Sequence, residues 1–376
     1  MQKREAGSFD IVVVGAGIAG LSAAYFLAKA GLKPLLVDRS AGVATGGSGA
    51  AGAFISPRIG KGGALQSLTN EAFSFAVKFY KENFPRHFLQ SGILRIPKNP
   101  DDASKFSDYE EFNHEPYERW SRERMAEYGI ESAGEGFFFP EAGDCNAQSL
   151  CAEMLEGIEF ERFDVKRIER VKNSWLLHGD GCIESEAIVL CCGYRNDLLD
   201  MRYMGVKGLW GSRGDYRCKL AGAPFTIHRD FTISAVRNGK IKIGATHIKS
   251  ENPCMACDGR PLAGLEKRAR ELKRGLDIEL VETYCGMRSG SRDFFPLVGA
   301  VIDSAKMLEE YPGITKGFKA PLIHHEKLYI LNGLGGRGFV FAPLMAKYLS
   351  EHIVSGKRLD PRIDPDRLFY RWVRRL

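Results

Sequence analysis

The chain of 376 residues has no internal repeat, no low-complexity tract and no second Cys-x-x-Cys to accompany Cys254-Met255-Ala256-Cys257. The first two absences exclude solenoids and fibrous arrays. The third, with no histidine pair at ligand spacing, argues against structural zinc, so no metal is expected. His324-His325 carries no spacing that suggests a metal or a general base. Only one apolar run approaches a membrane-spanning length, Ile11 to Ala28, and glycines at 15, 17 and 20 break it. Lys3 and Arg4 ahead of that run mimic a signal peptide, but the glycine spacing has its own explanation, and no membrane segment is expected. Composition is ordinary, at 44% hydrophobic and 27% charged residues, which excludes a disordered chain or a coiled-coil rod. The nine cysteines are odd in number, and Cys191-Cys192 lies in an apolar run. A chain this long buries enough surface without covalent staples, so reduced thiols and a cytoplasmic protein are expected.

What is present is a strand-turn-helix-strand opening. Phe9 to Val14 is β-branched and apolar, Ile18 to Ala30 has helical character closed by Gly31, and Pro34 to Val37 reads as a strand ending at Asp38. Gly15-x-Gly17-x-x-Gly20 bridges strand and helix, and Asp38 follows eighteen residues after Gly20. The first glycine permits the tight turn, the second lets backbone approach a pyrophosphate, and the third lets helix pack on strand. The helix N-terminus favours phosphate, and Asp38 can accept from ribose hydroxyls. This pattern points to a dinucleotide.

A second glycine-rich junction, Asn332-Gly333-Leu334-Gly335-Gly336-Arg337-Gly338, follows a strand at Leu328 to Leu331 and opens a helix. Two such junctions, far apart in the chain with β-rich segments between, fit FAD bound along its length better than NAD. A helix N-terminus aimed at the flavin pyrimidine ring would stabilise the negative charge of reduction. Elsewhere Thr45 to Gly52 reads as a loop, Leu65 to Phe84 and Arg260 to Gly275 as helices, and Asn146 as a helix cap. Short helices are expected in the acidic stretch 101–144, and Arg237-Asn238-Gly239-Lys240 is a hairpin turn between strands.

These residues, with the block Gly286 to Gly299 and Gly335-x-Arg337-Gly338, resemble the D-amino-acid oxidase superfamily of flavoenzymes, which includes glycine and sarcosine oxidases. Within it the chain is most similar to the FAD domain of the tRNA wobble-uridine modification enzymes. Three stretches carry that likeness: Ala44 to Gly49 ahead of Pro57, Gly333 to Gly338 followed by Ala342-Pro343, and the tail Asp364 to Arg371. The resemblance implies an α/β fold. A Rossmann-type FAD-binding domain would comprise 1–88, 145–204 and 300–376, and an antiparallel-sheet substrate domain 89–144 and 205–299. It implies non-covalent FAD, although Cys285 is one residue from where some sarcosine oxidases carry a flavin-linked cysteine. The FAD-binding positions it implies begin with Gly15, Ala16, Gly17, Ile18, Ala19 and Gly20. They continue through Asp38, Arg39, Gly46, Ser48, Gly49 and Ala51 to Val165, Cys192 and Gly193, and end with Arg288, Gly333, Gly335, Gly336, Arg337, Gly338 and Phe339. Arg288 is implied as the clamp for a substrate carboxylate, which suits a bidentate guanidinium, and Arg337 as a second substrate-side group. Arg292 and Asp293 read as structural.

The implied reaction removes the carboxymethyl group of 5-carboxymethylaminomethyl-(2-thio)uridine in tRNA as glyoxylate, with a separate methyltransferase acting on the product. A tRNA partner needs phosphate-neutralising surface. The net charge is +6, yet residues 101–161 hold seventeen acids and four bases. The compensating bases gather in 260–274, with six bases and two acids, and in Lys357 to Leu376, with seven bases and three acids. No RNA-binding motif is present. Two rival readings are a small-molecule amine oxidase for glycine, sarcosine or a D-amino acid, and a flavoprotein used only for binding.

Overall fold

Four or more consecutive apolar residues make Ile11–Val14, Pro34–Asp38 and Ala187–Leu190 strands that can be covered on both faces, which favours parallel pairing. The computed structural model describes residues 9–195, 197–249, 257 and 259–376, together with the backbone of Lys3–Arg4. In it those strands form the middle of a six-stranded sheet. The order is Glu159–Arg162, Pro34–Asp38, Ile11–Val14, Ala187–Leu190, His324–Asn332, Leu297–Ile302. All pairs are parallel except the last, where Leu297 opposes Asn332 in antiparallel register. Every residue of Ile11–Val14 and Ala187–Leu190 is buried.

Chain contacts divide the protein into two compact units. The first comprises residues 1–47, 151–208 and 288–376, and the second 48–150 and 209–287. The six-stranded sheet belongs to the first. Helices Ile18–Lys29 and Gly338–Ser355 pack on each other there, and Ser350 donates to the carbonyl of Phe26 at 3.1 Å. Pro343 lies inside the second of these helices. A smaller sheet of Lys3–Arg4, Cys182–Ser185, Ser174–His178 and Arg167–Val171 contributes Ile168, Trp175, Leu177 and Ile183 to the same core. The C-terminal helix Asp366–Val373 drives Leu368, Phe369, Trp372 and Val373 into that core. Its Arg367 forks onto Asp293 with bonds of 2.8 and 3.0 Å, so Asp293 is a structural partner. Arg292 is exposed.

The second unit is built on an eight-stranded sheet. From one edge it runs Asp277–Gly290, Lys207–Leu220, Lys240–Gly244, Thr232–Ile233, Thr226–His228, Ile93–Arg95, Gly136–Phe139, Glu118–Trp120. It is largely antiparallel, but Thr226–His228 pairs with Ile93–Arg95 in parallel. Helix Arg260–Leu272 covers the sheet with Leu262, Leu265, Ala269 and Leu272. An aromatic cluster around Trp120 fills the far end, with Phe138 stacked at 4.8 Å and Phe225 edge-on at 5.0 Å. The acidic stretch forms short helices Pro100–Ala103, Phe106–Glu111 and Arg122–Glu127, and Asn146 caps helix Ala147–Met154 through the Ser149 N–H.

The reduced-thiol expectation is corrected here. Cys257 and Cys285 form a disulfide that fastens the start of the 259–272 region to strand Asp277–Gly290. Parity of the cysteine count said nothing about which pairs the sheet would bring together. Cys145, Cys151, Cys182, Cys191, Cys192 and Cys218 remain free, and Cys254 lies outside the described residues. No helix among the described residues is long and apolar enough to cross a membrane.

Phe369 is fully buried against Tyr203 and Trp372. Phe369→Ala is expected to cost about 4 kcal/mol through lost transfer energy and the cavity left behind. The check is a shift in the urea midpoint with an unchanged slope, the slope being fixed by the surface exposed.

Candidate cofactor and active site

The first glycine-rich turn is set by distances that a side chain would violate. Gly15 has φ 108°, and a Cβ there would lie 2.5 Å from the Cys191 carbonyl oxygen. A Cβ on Gly20 would fall 1.8 Å from the carbonyl oxygen of Gly15. The Gly15 N–H donates to Val37 at 2.7 Å, which fastens the turn to the neighbouring strand. Gly17 precedes helix Ile18–Lys29 and, having no side chain, gives it no side-chain cap. A backbone with no Cβ in the way and an uncapped helix start together make an anion cradle.

Asp38 stands beside this cradle. Its Oδ2 accepts from the Ala16 N–H and its Oδ1 from the Ser40 N–H, each at 2.8 Å. A carboxylate has about four acceptor positions, so capacity for ribose hydroxyls remains. Arg39, next along, is exposed, and its carbonyl accepts from Arg162. Gly46 is exposed in the loop after Ala44, whose N–H bonds the Ala16 carbonyl at 2.8 Å. Val165 is buried just past strand Glu159–Arg162, where Phe163 donates to the Asp38 carbonyl. Cys192 and Gly193 follow Ala187–Leu190, which runs beside Ile11–Val14. Burial pushes the Cys192 thiol up to about 12, so it stays protonated and is not a nucleophile at neutral pH.

The second junction meets the first. Strand His324–Asn332 turns through Gly333 at φ 72° and Gly335 at φ 58° into helix Gly338–Ser355, with Arg337 at the cap position and Phe339 buried in its first turn. A Cβ on Gly338 would sit 3.2 Å from Ile18 Cγ2, so the starts of the two helices adjoin. Arg288 comes to the same turn from the end of strand Asp277–Gly290. Its Cδ lies 3.8 Å from where a Cβ on Gly336 would be, and burial holds its guanidinium below the ordinary arginine range. Arginine nevertheless stays charged at neutral pH.

Residues that sequence reasoning did not single out include Asn332. It is 3% exposed and joins three strand ends. Its Nδ2 donates to the Gly193 carbonyl at 2.7 Å, and its Oδ1 accepts from the Gly333 N–H at 2.8 Å and the Ser289 hydroxyl at 2.9 Å. An asparagine that ends a buried strand and precedes a glycine was the available signal. Ser48, Gly49 and Ala51 belong to the second unit, where Gly49 lines a cavity and the Ala51 carbonyl accepts from Arg213. Cys285 is bonded to Cys257 and is not a free thiol. His324 bonds Asp366 at 2.8 Å and His325 faces Asp303 at 3.5 Å, both structural contacts. Among the described residues no cluster of three or more His, Cys, Asp or Glu could hold a metal.

Glycine cradle, paired helix starts and ribose-ready carboxylate fit FAD, and the fold around them is that of a dinucleotide-binding oxidoreductase. The chain belongs to the DAO family of FAD-dependent oxidoreductases, whose signature matches residues 10–352. It is 24% identical over 392 residues to the tRNA 5-methylaminomethyl-2-thiouridine biosynthesis bifunctional protein MnmC of Marinobacter nauticus, covering 96% of this chain and 59% of that one. MnmC of Shewanella amazonensis is 27% identical over 418 residues, with 98% and 60% covered. The chain thus spans about three fifths of the length of these curated relatives. In fold it is similar to glycine oxidase from Bacillus cereus, with TM-score 0.77, 20% identity and coverage of 93% and 96%. L-proline dehydrogenase from P. horikoshii gives TM-score 0.76 at 18% identity, with 97% and 98% covered.

Asn332→Ala leaves two donors and an acceptor unpaired at the strand ends. Stability is expected to fall by about 3 kcal/mol, read from urea unfolding, because orphaned buried groups keep their desolvation cost.

Proposed function

We propose that this oxidoreductase removes the carboxymethyl group from 5-carboxymethylaminomethyl-(2-thio)uridine at the tRNA wobble position, leaving 5-aminomethyl-(2-thio)uridine and releasing glyoxylate. The substrate carries an N-substituted glycine. Its secondary amine loses two electrons and two protons to become an imine, and water cleaves the imine to amine and aldehyde. FAD, when bound without a covalent link, supplies the two-electron acceptor. The chain's own residues bind and orient. The amides at Ile18 to Gly20 hold the cofactor's pyrophosphate, and Asp38 holds ribose hydroxyls through its remaining acceptor positions. Arg288 grips the glycine carboxylate and so fixes the methylene for oxidation, and Arg337 provides a second cationic group at the same turn.

The observation that carries this reading is Arg288 beside the Gly333–Gly338 turn, a half-buried guanidinium where a carboxylate is to be held. The tRNA identity draws support from the MnmC relatives and from the charge distribution. In helix Arg260–Leu272 and just beyond, Arg268, Arg270 and Arg274 pair with Asp230, Glu266 and Glu131, so half of the six bases there are already engaged. Arg371 on the C-terminal helix, and Arg374 and Arg375 just past its end, are exposed and make no ion pair among the described residues. They are the phosphate-facing surface of this proposal.

Arg288→Ala is expected to keep flavin yet lose about 30-fold or more in kcat/KM, since a buried carboxylate losing its charged partner costs roughly 2–5 kcal/mol. Arg288→Lys should rescue only in part, because the fork is lost. Unchanged kinetics in the alanine variant remove Arg288 from the site.

For tRNA binding, three phosphate contacts give a slope of log affinity against log salt of about −2 to −3. Replacing Arg371, Arg374 and Arg375 with Gln should flatten it. Brisk oxidation of sarcosine or glycine, with no tRNA affinity at low salt, would turn the reading to a small-molecule amine oxidase.

A further inference from the structure

A cavity of about 420 Å³ lies entirely within the second unit. Its floor is electrostatically settled. Lys242 donates to Asp144 at 2.6 Å and to the Cys145 carbonyl at 2.9 Å. Arg213, 5% exposed, has its Nε 3.0 Å from Asp215 Oδ1 and its guanidinium 4.2 Å from the centre of the Tyr284 ring. Asp144 is therefore hydrogen-bonded by Lys242, and Asp215 stands opposite the Arg213 charge without a hydrogen bond to it.

The wall formed by the hairpin turn differs. Arg237 and Lys240 exchange two backbone hydrogen bonds, of 2.9 and 3.0 Å, across Asn238 at φ 51° and Gly239 at φ 69°. Two central residues with positive φ make a type I′ turn, which holds the flanking side chains on a rigid frame. Nη2 of Arg237 bonds the Arg86 carbonyl at 2.9 Å, but its Nη1 is buried with no partner. Lys240 is exposed and makes no ion pair among the described residues. The cavity lining thus holds four cations, Arg213, Arg237, Lys240 and Lys242, against the two carboxylates, a surplus of two positive charges. Asn146, Gln148, Asn238 and Tyr284 also line it.

We propose that this cavity is a nucleotide-binding site. It takes one nucleoside monophosphate unit of the RNA substrate, with the phosphate on Arg237 and Lys240 and the base edge read by the amides. The RNA as source of that unit rests on the function proposed above; the ligand chemistry rests on the cavity alone. An inorganic anion would leave most of the volume unfilled, whereas small-ligand sites run from about 300 to 1,000 Å³. Two cations on a fixed frame suit a phosphate, and neutral amides suit the edge of an exposed base.

The test is calorimetric titration of the FAD-loaded protein with 5′-UMP, with uridine and with inorganic phosphate. The expected result is UMP binding at least tenfold tighter than either fragment. Arg237→Gln with Lys240→Gln should weaken UMP at least tenfold while the flavin spectrum reports an intact fold. Lys240→Gln alone, on an exposed turn, should give a smaller loss in the same direction. UMP binding no tighter than phosphate, or equal binding by wild type and variants, overturns the site. UMP binding that is lost in the variants, beside absent tRNA turnover, upholds the site while sinking the tRNA reaction, so the two failures are told apart.

Discussion

How near one backbone can come to another decides the architecture of the first unit. At Gly20 and Gly15 there is no room for even one carbon atom: helix lies on turn, and turn lies on the Cys191 carbonyl. That closeness lets helix Ile18–Lys29 start directly at the end of its strand, with no side chain capping it. It also sets the axis of that helix, against which helix Gly338–Ser355 then packs with Gly338 next to Ile18. Asn332 locks the neighbouring strand ends, so the junctions at the two ends of the chain hold a common position. Apolar burial supplies most of the stabilisation, while these few contacts supply the geometry.

Charge is organised by pairing rather than by count. The sequence suggests two basic segments of similar standing, and in each three bases are paired with carboxylates: Arg268, Arg270 and Arg274 in the first, Lys357, Arg362 and Arg367 in the second, where Arg371, Arg374 and Arg375 stay exposed. The amphipathic C-terminal helix separates its roles cleanly. Leu368, Phe369, Trp372 and Val373 build core, Arg367 fixes Asp293, and only the remaining arginines face outward. A run of bases therefore tells little about available charge until its partners are known.

Local pattern made the strand-turn-helix openings and the 237–240 hairpin legible, because glycine spacing and strand hydrophobicity are short-range properties. The glycine-rich loop, the helix at 64–83 and the Asn146 cap follow the same logic. What escaped depends on long-range placement. The Cys257–Cys285 bond requires knowing which segment returns to strand Asp277–Gly290. The parallel pairing of Thr226–His228 with Ile93–Arg95 joins residues far apart in sequence. Asn332 looked like part of a loop because its partners, Gly193 and Ser289, come from elsewhere. The cavity cation Arg213 sits in ordinary-looking strand sequence that no motif marks, and Arg237 is marked only as the first residue of a hairpin turn.

The order of synthesis gains meaning from the interleaving of the two units. Strands of the six-stranded sheet are drawn from residues 11–38, 159–190 and 297–332, and its core is closed by helix Asp366–Val373. A growing chain emerging from the ribosome can complete the second unit once residue 287 has appeared. The first unit has to wait, with its earliest strand Ile11–Val14 already exposed and its neighbours Ala187–Leu190 and His324–Asn332 not yet made. Such delayed closure of non-local strand pairs is slow and leaves bare strand edges in the interval. The βαβ segment at 11–38 thus stays an unsatisfied half-sheet until residues 187–332 have been made, the stage at which chaperone capture or aggregation competes with folding.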